Sequence, residues 1–486
     1  MSKQGVTPRS EDYSAWYNEV VVQAELVDNP EKTPVRGCMI IKPYGYELWE
    51  AVKSNLDRRF KETGHQNAYF PLFIPMSFLE KEADHVEGFA PELAVVTHGG
   101  GKELVEPYVI RPTSETIIGE AMSRWIQSFR DLPLLLNQWA NVVRWEKRTR
   151  PFLRTSEFLW QEGHTAHATH DEAQAEALQM LDIYAEFAIE KAAIPVIKGQ
   201  KSDQERFAGA LHSYTIEAMM GDGKALQAGT SHNLGQNFAK VFDIQYVDEN
   251  NQQQYCWTTS WGVSTRMVGA IIMAHGDDHG LRLPPEIAPI QVVLVPIWSN
   301  EDEKAGVLEV VDRLQNALKA EGLRLHIDLR ENVRPGFKFN DWEMRGVPVR
   351  VEVGPKDVEK GSAAVARRDI PGKEGKAFID QDKVVDHVMQ LMVEIQENLL
   401  RQATEFRDSN IFLVEGDYDK FGEILQNNGW VLTWFCGDAE CENRTKEDFQ
   451  AVSRCFPLDQ PQPEMTGKCI CCEGEADRMA YFAKAY

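Results

Sequence analysis

Residues 144–167, RWEKRTRPFLRTSEFLWQEGHTAH, restrict what this chain can become more than any other stretch. Four arginines and three glutamates fall in two runs joined by a basic turn. An extended run over 141–147 puts Arg144 and Glu146 on one face, because strand side chains repeat every second residue. A second run, over 158–164, puts Trp160, Glu162 and His164 on a single face in the same way. The turn Lys147-Arg148-Thr149-Arg150-Pro151 offers guanidinium groups, which grip phosphate oxygens in pairs where an ammonium offers only a point charge. A fixed cation beside a fixed anion suits a nucleotide held next to a small zwitterion. Charge runs are more often solvated hairpins, but here tryptophan and histidine interleave with the charges instead of lying opposite them.

A chain of 486 residues is too long for one core and implies two to four domains. The net charge of −23 excludes broad, nonspecific affinity for nucleic acid, though not a local basic surface. No opening apolar stretch resembles a signal peptide and no apolar run approaches a membrane span, so the expectation is a cytoplasmic protein with no membrane partner. No glycine-lysine pair is followed by Ser or Thr, which excludes a P-loop, and neither a dinucleotide fingerprint nor HExxH occurs. His164, His167 and His170 have metal-like identities, but odd spacing on a strand sends neighbours to opposite faces.

The flanking segments add polar groups around the central stretch. Helical spacing of apolar residues predicts a helix over 11–27, and another is expected over about 45–62. Residues 67–75 read as one aromatic strand ended by prolines, and 85–101 as a loop. Residues 109–115 pass from strand to helix, with Pro112 as the break and Thr113 or Ser114 as the cap. Thr169-His170-Asp171-Glu172 is a capping box for a helix to about Ala193. Small and bifunctional polar residues fill 224–233. Beyond them Gly262 permits close backbone approach, and Arg266 sits in the first turn of a helix over 267–275.

Eight cysteines are unevenly placed, six of them between Cys436 and Cys472. Cys436 with Cys441, and Cys469 with Cys472, form two short hooks suited to a tetrahedral structural Zn²⁺, with Cys471 an alternative to Cys472. Cys455 reads as a packed residue.

The strings RPTSE at 111–115, RWE at 144–146, RPFLRTSEFLWQEGHTAH at 150–167, QAGTSH at 227–232 and WGVSTR at 261–266 resemble the class II prolyl-tRNA synthetases over nearly the whole chain. That resemblance implies an α+β fold with an antiparallel catalytic sheet and flanking helices over 1–287. An α/β anticodon-binding domain over 288–400 follows, then a small α/β zinc-binding domain over 401–486. It implies a homodimer that uses ATP with Mg²⁺ to join L-proline to tRNA(Pro), through prolyl-adenylate and then transfer to the tRNA 3′ end. By resemblance, Arg144 bridges the proline carboxylate and the α-phosphate, Glu146 recognises adenine, and Arg154 holds polyphosphate. Arg266, with Ser264 beside it, clamps the γ-phosphate, and Gln227 and Thr230 contact the nucleotide. Thr113 and Glu115 receive the secondary ammonium, while Trp160, Glu162, His164 and His232 complete the proline pocket. Glu217 is a further candidate for Mg²⁺.

Between Arg324 and Lys376 there are twelve Lys or Arg against nine Asp or Glu. Arg334, Lys338, Arg345, Arg350 and Lys356 are candidate RNA contacts there, with Phe337, Phe339 and Trp342 for stacking. Bacterial-type members of the family carry a hydrolytic insertion between the second and third motifs. Only ninety residues, 168–257, occupy that interval here, so no editing domain is expected. The alternative from another class is a synthetase-like RNA-binding or regulatory paralogue that does not aminoacylate.

Overall fold

The two runs of the central stretch become adjacent strands. Leu134–Val143 and Glu157–His167 pair antiparallel, with Gln138 opposite Glu162 and Ala140 opposite Trp160. This computed structural model describes residues 5–80, 93–458 and 466–486. Trp257–Ser264 lies on the far side of Glu157–His167, followed across the sheet by Ala225–Gly235, His212–Met219 and Val196–Gln200, all antiparallel. One face of these strands is closed by the helices Pro43–Glu62 and His170–Glu186, whose Leu56, Phe60, Met180 and Tyr184 share a core with Trp261 and Val263. The other face is left for a ligand. Thr169 caps the second helix as its sequence predicts: its hydroxyl accepts from Glu172 N–H, and the Glu172 carboxylate accepts from Thr169 N–H.

The sheet does not stop at the catalytic strands. Val196–Gln200 pairs with Val452–Pro457, and Met479–Ala483, Trp430–Trp434 and Ile411–Leu413 extend it to eleven strands. Between them in sequence stands a separate five-stranded sheet in the order Leu325–Ile327, Val292–Pro296, Val349–Val353, Ser362–Arg367, Lys376–Asp380. Its first three strands are parallel, and the central one, Val292–Pro296, is buried at every position in a core shared with the helices Glu301–Ala320 and Val384–Ser409, which accounts for its unbroken apolar run.

Three expectations change. Residues 67–75 are not one strand: Gln66–Asn67 joins the large sheet, and Phe73–Pro75 pairs with Lys102–Ile110 in a three-stranded sheet. The break comes where Pro71 has no N–H to donate and the amide of Phe70 turns instead to the Gln138 side chain at 2.6 Å. Residues 94–99 of the expected loop are a strand, joined to Lys102–Ile110 by Gly100 and Gly101 at φ of 60° and 79°; the rest of that loop, 85–92, lies outside the described residues. The first helix is shorter, Tyr13–Gln23, and begins where Asp12 accepts from Ala15 N–H.

Candidate active site

Strand pairing brings the alternating polar residues into one cavity of about 260 Å³. Trp160, Glu162 and His164 enter it from one strand, Ser264 from the next, and Gln227, Thr230 and His232 from the third. Thr113 and Glu115 reach it from the start of the helix Glu115–Trp125, and Arg266 from the start of Arg266–His275.

One end is anionic. Glu115, Glu162 and His164 are all buried there. Glu162 accepts from Ser114 Oγ, from Gln138 Nε2 at 2.9 Å and lies 3.2 Å from His164 Nε2. Ser114 therefore occupies the N-cap position without capping, because its hydroxyl is turned to Glu162. Thr113 Oγ1 donates to Glu115. Burial alone would depress the pKa of His164; the hydrogen bond to Glu162 and the charges of Glu115 and Glu162 outweigh it and raise the value. His232 is fixed by Ser213 at 2.8 Å and by a stacked Phe207, 4.7 Å between ring centres. This end fits a small cation with an apolar body.

The other end is cationic. The Arg144 guanidinium lies 5.6 and 5.4 Å from the ring centres of Phe158 and Trp160, and its Nε donates to Pro112 O at 3.0 Å. Arg266 Nε donates to Leu153 O at 3.1 Å. Burial, then the nearby charges of Arg154 and Arg144, pull the pKa of Arg266 down to about 10, which still leaves it charged at neutral pH. Three arginines that repel one another in this way form a site that an anion relieves.

Two residues of the set lie outside the cavity wall. The strand ends at Val143, so Arg144 and Glu146 do not share a strand face as 141–147 suggested; Arg144 N–H makes one last bond to Ser156 O at 2.8 Å before the chain turns away. Glu146 instead pairs with Arg154 at 3.4 Å, and neither lines the cavity. Within the basic turn, Arg150 is directed away, donating to Ser14 Oγ at 2.6 Å and lying over Tyr486. Glu217 does not present an open carboxylate for Mg²⁺, because Lys201, Arg454 and Thr215 engage both its oxygens. Sequence reasoning missed Phe158 and Ser260, although the period of two carries both onto this face, and it missed Lys201 and Phe207, for which no local pattern existed.

Elsewhere, the sulfur atoms of Cys436, Cys441, Cys469 and Cys472 lie within 4.8 Å of one another, and Cys471 Sγ is turned to Cys441 O instead. Several expected RNA contacts are internal: Lys338 donates to Asp328 O, Trp342 Nε1 to the Asp328 carboxylate, and Arg350 to Glu343 and Glu352. Arg345 reaches Asp341 and covers the ring of Tyr44. Arg334 and Lys356 remain exposed.

Family models match along the chain: the tRNA synthetase class II core domain (G, H, P, S and T) over residues 98–275, an anticodon binding domain over 291–403, and the prolyl-tRNA synthetase C-terminal domain over 418–486. The chain is 57% identical to a proline–tRNA ligase of Roseiflexus sp. strain RS-1, over the whole of both chains. It is 56% identical to a chloroplastic/mitochondrial proline–tRNA ligase of Arabidopsis thaliana, covering all of this chain and 89% of that one. A crystal structure of prolyl-tRNA synthetase from Cryptosporidium parvum, complexed with halofuginone and AMPPNP, is similar with a TM-score of 0.94 and 40% identity over 99% of each chain.

Proposed function

Because the chain belongs to the prolyl-tRNA synthetase family, we propose that its two-ended cavity is where proline and ATP are joined before proline passes to tRNA. The overall activity is ATP-dependent attachment of proline to tRNA(Pro), and a paralogue that only binds RNA is not favoured. The observation that carries the assignment of the site is the continuity of the cavity, carboxylates at one end and arginines at the other.

Proline's ammonium meets Glu115, Glu162 and Thr113, and its ring lies among Trp160, His164 and His232. Its carboxylate then faces Arg144. A carboxylate oxygen attacks the α-phosphorus of ATP, the bond to the bridging oxygen breaks, and pyrophosphate leaves carrying that electron pair. Arg144 holds both reactants in line, while Arg154 and Arg266 take the charge that develops on the leaving group. Gln227, Thr230 and Ser264 orient the nucleotide, and Glu146 faces its base. Class II synthetases use ATP with a divalent metal, which we assign to Mg²⁺ on the phosphates. The test is pyrophosphate exchange with each of the twenty amino acids. Exchange that depends on proline is expected, and exchange with none of them would overturn the assignment.

The four cysteine sulfurs suit a structural Zn²⁺. Zn–S bonds of about 2.3 Å at tetrahedral angles put sulfurs about 3.8 Å apart, and Cys436 and Cys441 are separated by 3.7 Å. Zinc would cross-link the helix start at Ala439 to the 469–472 turn. Purified protein should carry about one zinc per chain; a zinc-free protein with four freely titrating thiols would refute this.

A domain boundary at 287/288 is supported by the gap between the first two family matches, whereas 400/401 falls inside the anticodon binding match and inside the helix Val384–Ser409, so the second boundary is better drawn in the gap that follows residue 403. A homodimer built on the three-stranded sheet is supported by its exposed apolar side chains: Phe73 and Tyr108 stack on each other in the open, and Val95 and Val105 are also exposed. Arg334 and Lys356 are the proposed RNA contacts of the anticodon-binding domain. A cytoplasmic location is supported by the cysteines, none of the eight being paired in a disulfide. None of the described helices is long and apolar enough to cross a membrane.

A further inference from the structure

Beneath the cavity lies a charged cluster with no part in the chemistry above. Lys201 lines the cavity wall, and its Nζ donates to Glu217 Oε1 at 2.9 Å. The other oxygen, Oε2, accepts from Arg454 Nε and Nη2 at 3.0 and 2.8 Å. Lys201, Glu217 and Arg454 are 6%, 1% and 5% exposed, so their charges act on each other and on the cavity with little screening. Arg454 belongs to Val452–Pro457, the strand through which the C-terminal part joins the catalytic sheet. Close by, Ser202 Oγ donates to Glu442 Oε2 at 2.7 Å, a second tie from the C-terminal part to the segment that leads to Phe207.

The cluster is next to the cationic end of the cavity. Glu217 stands opposite Gln227 in the sheet, and the Gln227 carbonyl accepts from Arg266 Nη1 at 3.5 Å. A buried carboxylate with one cation makes a neutral pair; with two, the cluster keeps a net charge of one positive. Arg454 supplies both donors to Glu217 Oε2, which a buried carboxylate needs, and it leaves the cluster with one positive charge in excess.

We propose that Arg454 is a positioning residue for adenylation: from the C-terminal strand it pairs with Glu217, holds Lys201 against the cavity wall, and keeps the floor under the ATP phosphates one charge more positive. This rests on reading the cavity as the adenylation site. Within the proline end, Glu115, Glu162 and His164 lie on elements other than the cluster's, and His232 meets Glu217's strand through the uncharged Ser213. Loss of the Arg454 charge therefore weakens ATP selectively. Simple misfolding behaves differently, lowering the active fraction and hence kcat, with both KM values unchanged.

The test uses the full chain in proline-dependent pyrophosphate exchange. Arg454→Met should raise KM for ATP about tenfold while KM for proline stays within about twofold, and Arg454→Lys should recover most of the loss. Lys201→Met should raise KM for ATP as well, and the double variant should show less than the product of the two effects, because both act through Glu217. An unchanged KM for ATP in Arg454→Met, an equal rise for both substrates, or independent effects in the double variant would each overturn the proposal. If Arg454→Met does not fold, Lys201→Met alone decides, and an unchanged KM for ATP there overturns it. Arg144→Ala run in parallel separates the two levels. If that variant retains exchange the site assignment fails, whereas if it loses exchange and Arg454→Met is normal, only the role of Arg454 fails.

Discussion

Arg144 is the residue on which both halves of the cavity converge. Its side chain donates to Pro112 O, lies over two aromatic rings and lines the cavity, so its removal enlarges the cavity and leaves the hydrophobic core intact. Arg144→Ala is predicted to lower pyrophosphate exchange by about 10²–10³ with little change in melting temperature; wild-type exchange would take Arg144 out of the mechanism. His275 acts on stability instead. It is buried as a neutral ring donating from Nε2 to Ala192 O at 2.8 Å, and burial pulls its pKa down to about 4. In the unfolded chain the same ring takes a proton near pH 6.5. The folded state's advantage is therefore complete above that pH and is lost as pH falls from about 6.5 to about 4, at roughly 1.4 kcal/mol per unit. His275→Gln keeps a donor that never titrates, and its urea-unfolding free energy should decline less over this window than that of the wild type. Parallel declines would show that His275 does not carry the effect.

At the scale of elements, the strand Glu157–His167 is tuned to its neighbour at a single position. A Cβ on Gly163 would come within 2.1 Å of the Trp261 indole, which also packs against Phe60 and Tyr184. Gly163→Ala is predicted to cost about 1–3 kcal/mol or more and to disturb the ring next to the cavity; a urea midpoint equal to the wild type would contradict this packing. The strand itself was legible in the sequence, because Trp160, Glu162 and His164 keep a strict period of two. Its partner was legible only to Val143: nothing local marks that Arg144 makes its last ladder bond and leaves. The prolines at 71 and 75 were visible, but their effect, splitting one aromatic run between two sheets, depends on Gln138 capturing the amide of Phe70. Basic residues from Arg324 onward read as an RNA surface because sequence shows charge without burial. Asp328 and Asp341 turn several of them inward, Lys338 and Arg345 among them. Arg454 and Glu217 lie 237 residues apart, beyond the reach of any pattern.

Over the whole molecule, the interval between the second and third motifs is fully occupied. Residues 168–257 supply the helix His170–Glu186, three strands of the large sheet, the helix Asn237–Phe242 and a short hairpin. A pocket that admits proline discriminates against smaller alanine by only about 1–3 kcal/mol per missing methylene. Purified protein is predicted to activate alanine weakly and to leave preformed alanyl-tRNA(Pro) intact; deacylation well above a buffer control would reveal an editing site. The eleven-stranded sheet also has a consequence for synthesis on the ribosome. Val196–Gln200 has His212–Met219 on one side after eleven residues, but its partner on the other side, Val452–Pro457, emerges about 250 residues later. At about 5–20 residues per second, the catalytic sheet waits roughly ten seconds to a minute with an open edge of unpaired backbone groups. Nascent chains arrested before residue 452 should therefore expose Val196–Gln200 to any extended peptide able to pair with it, and release of the full chain should close that edge.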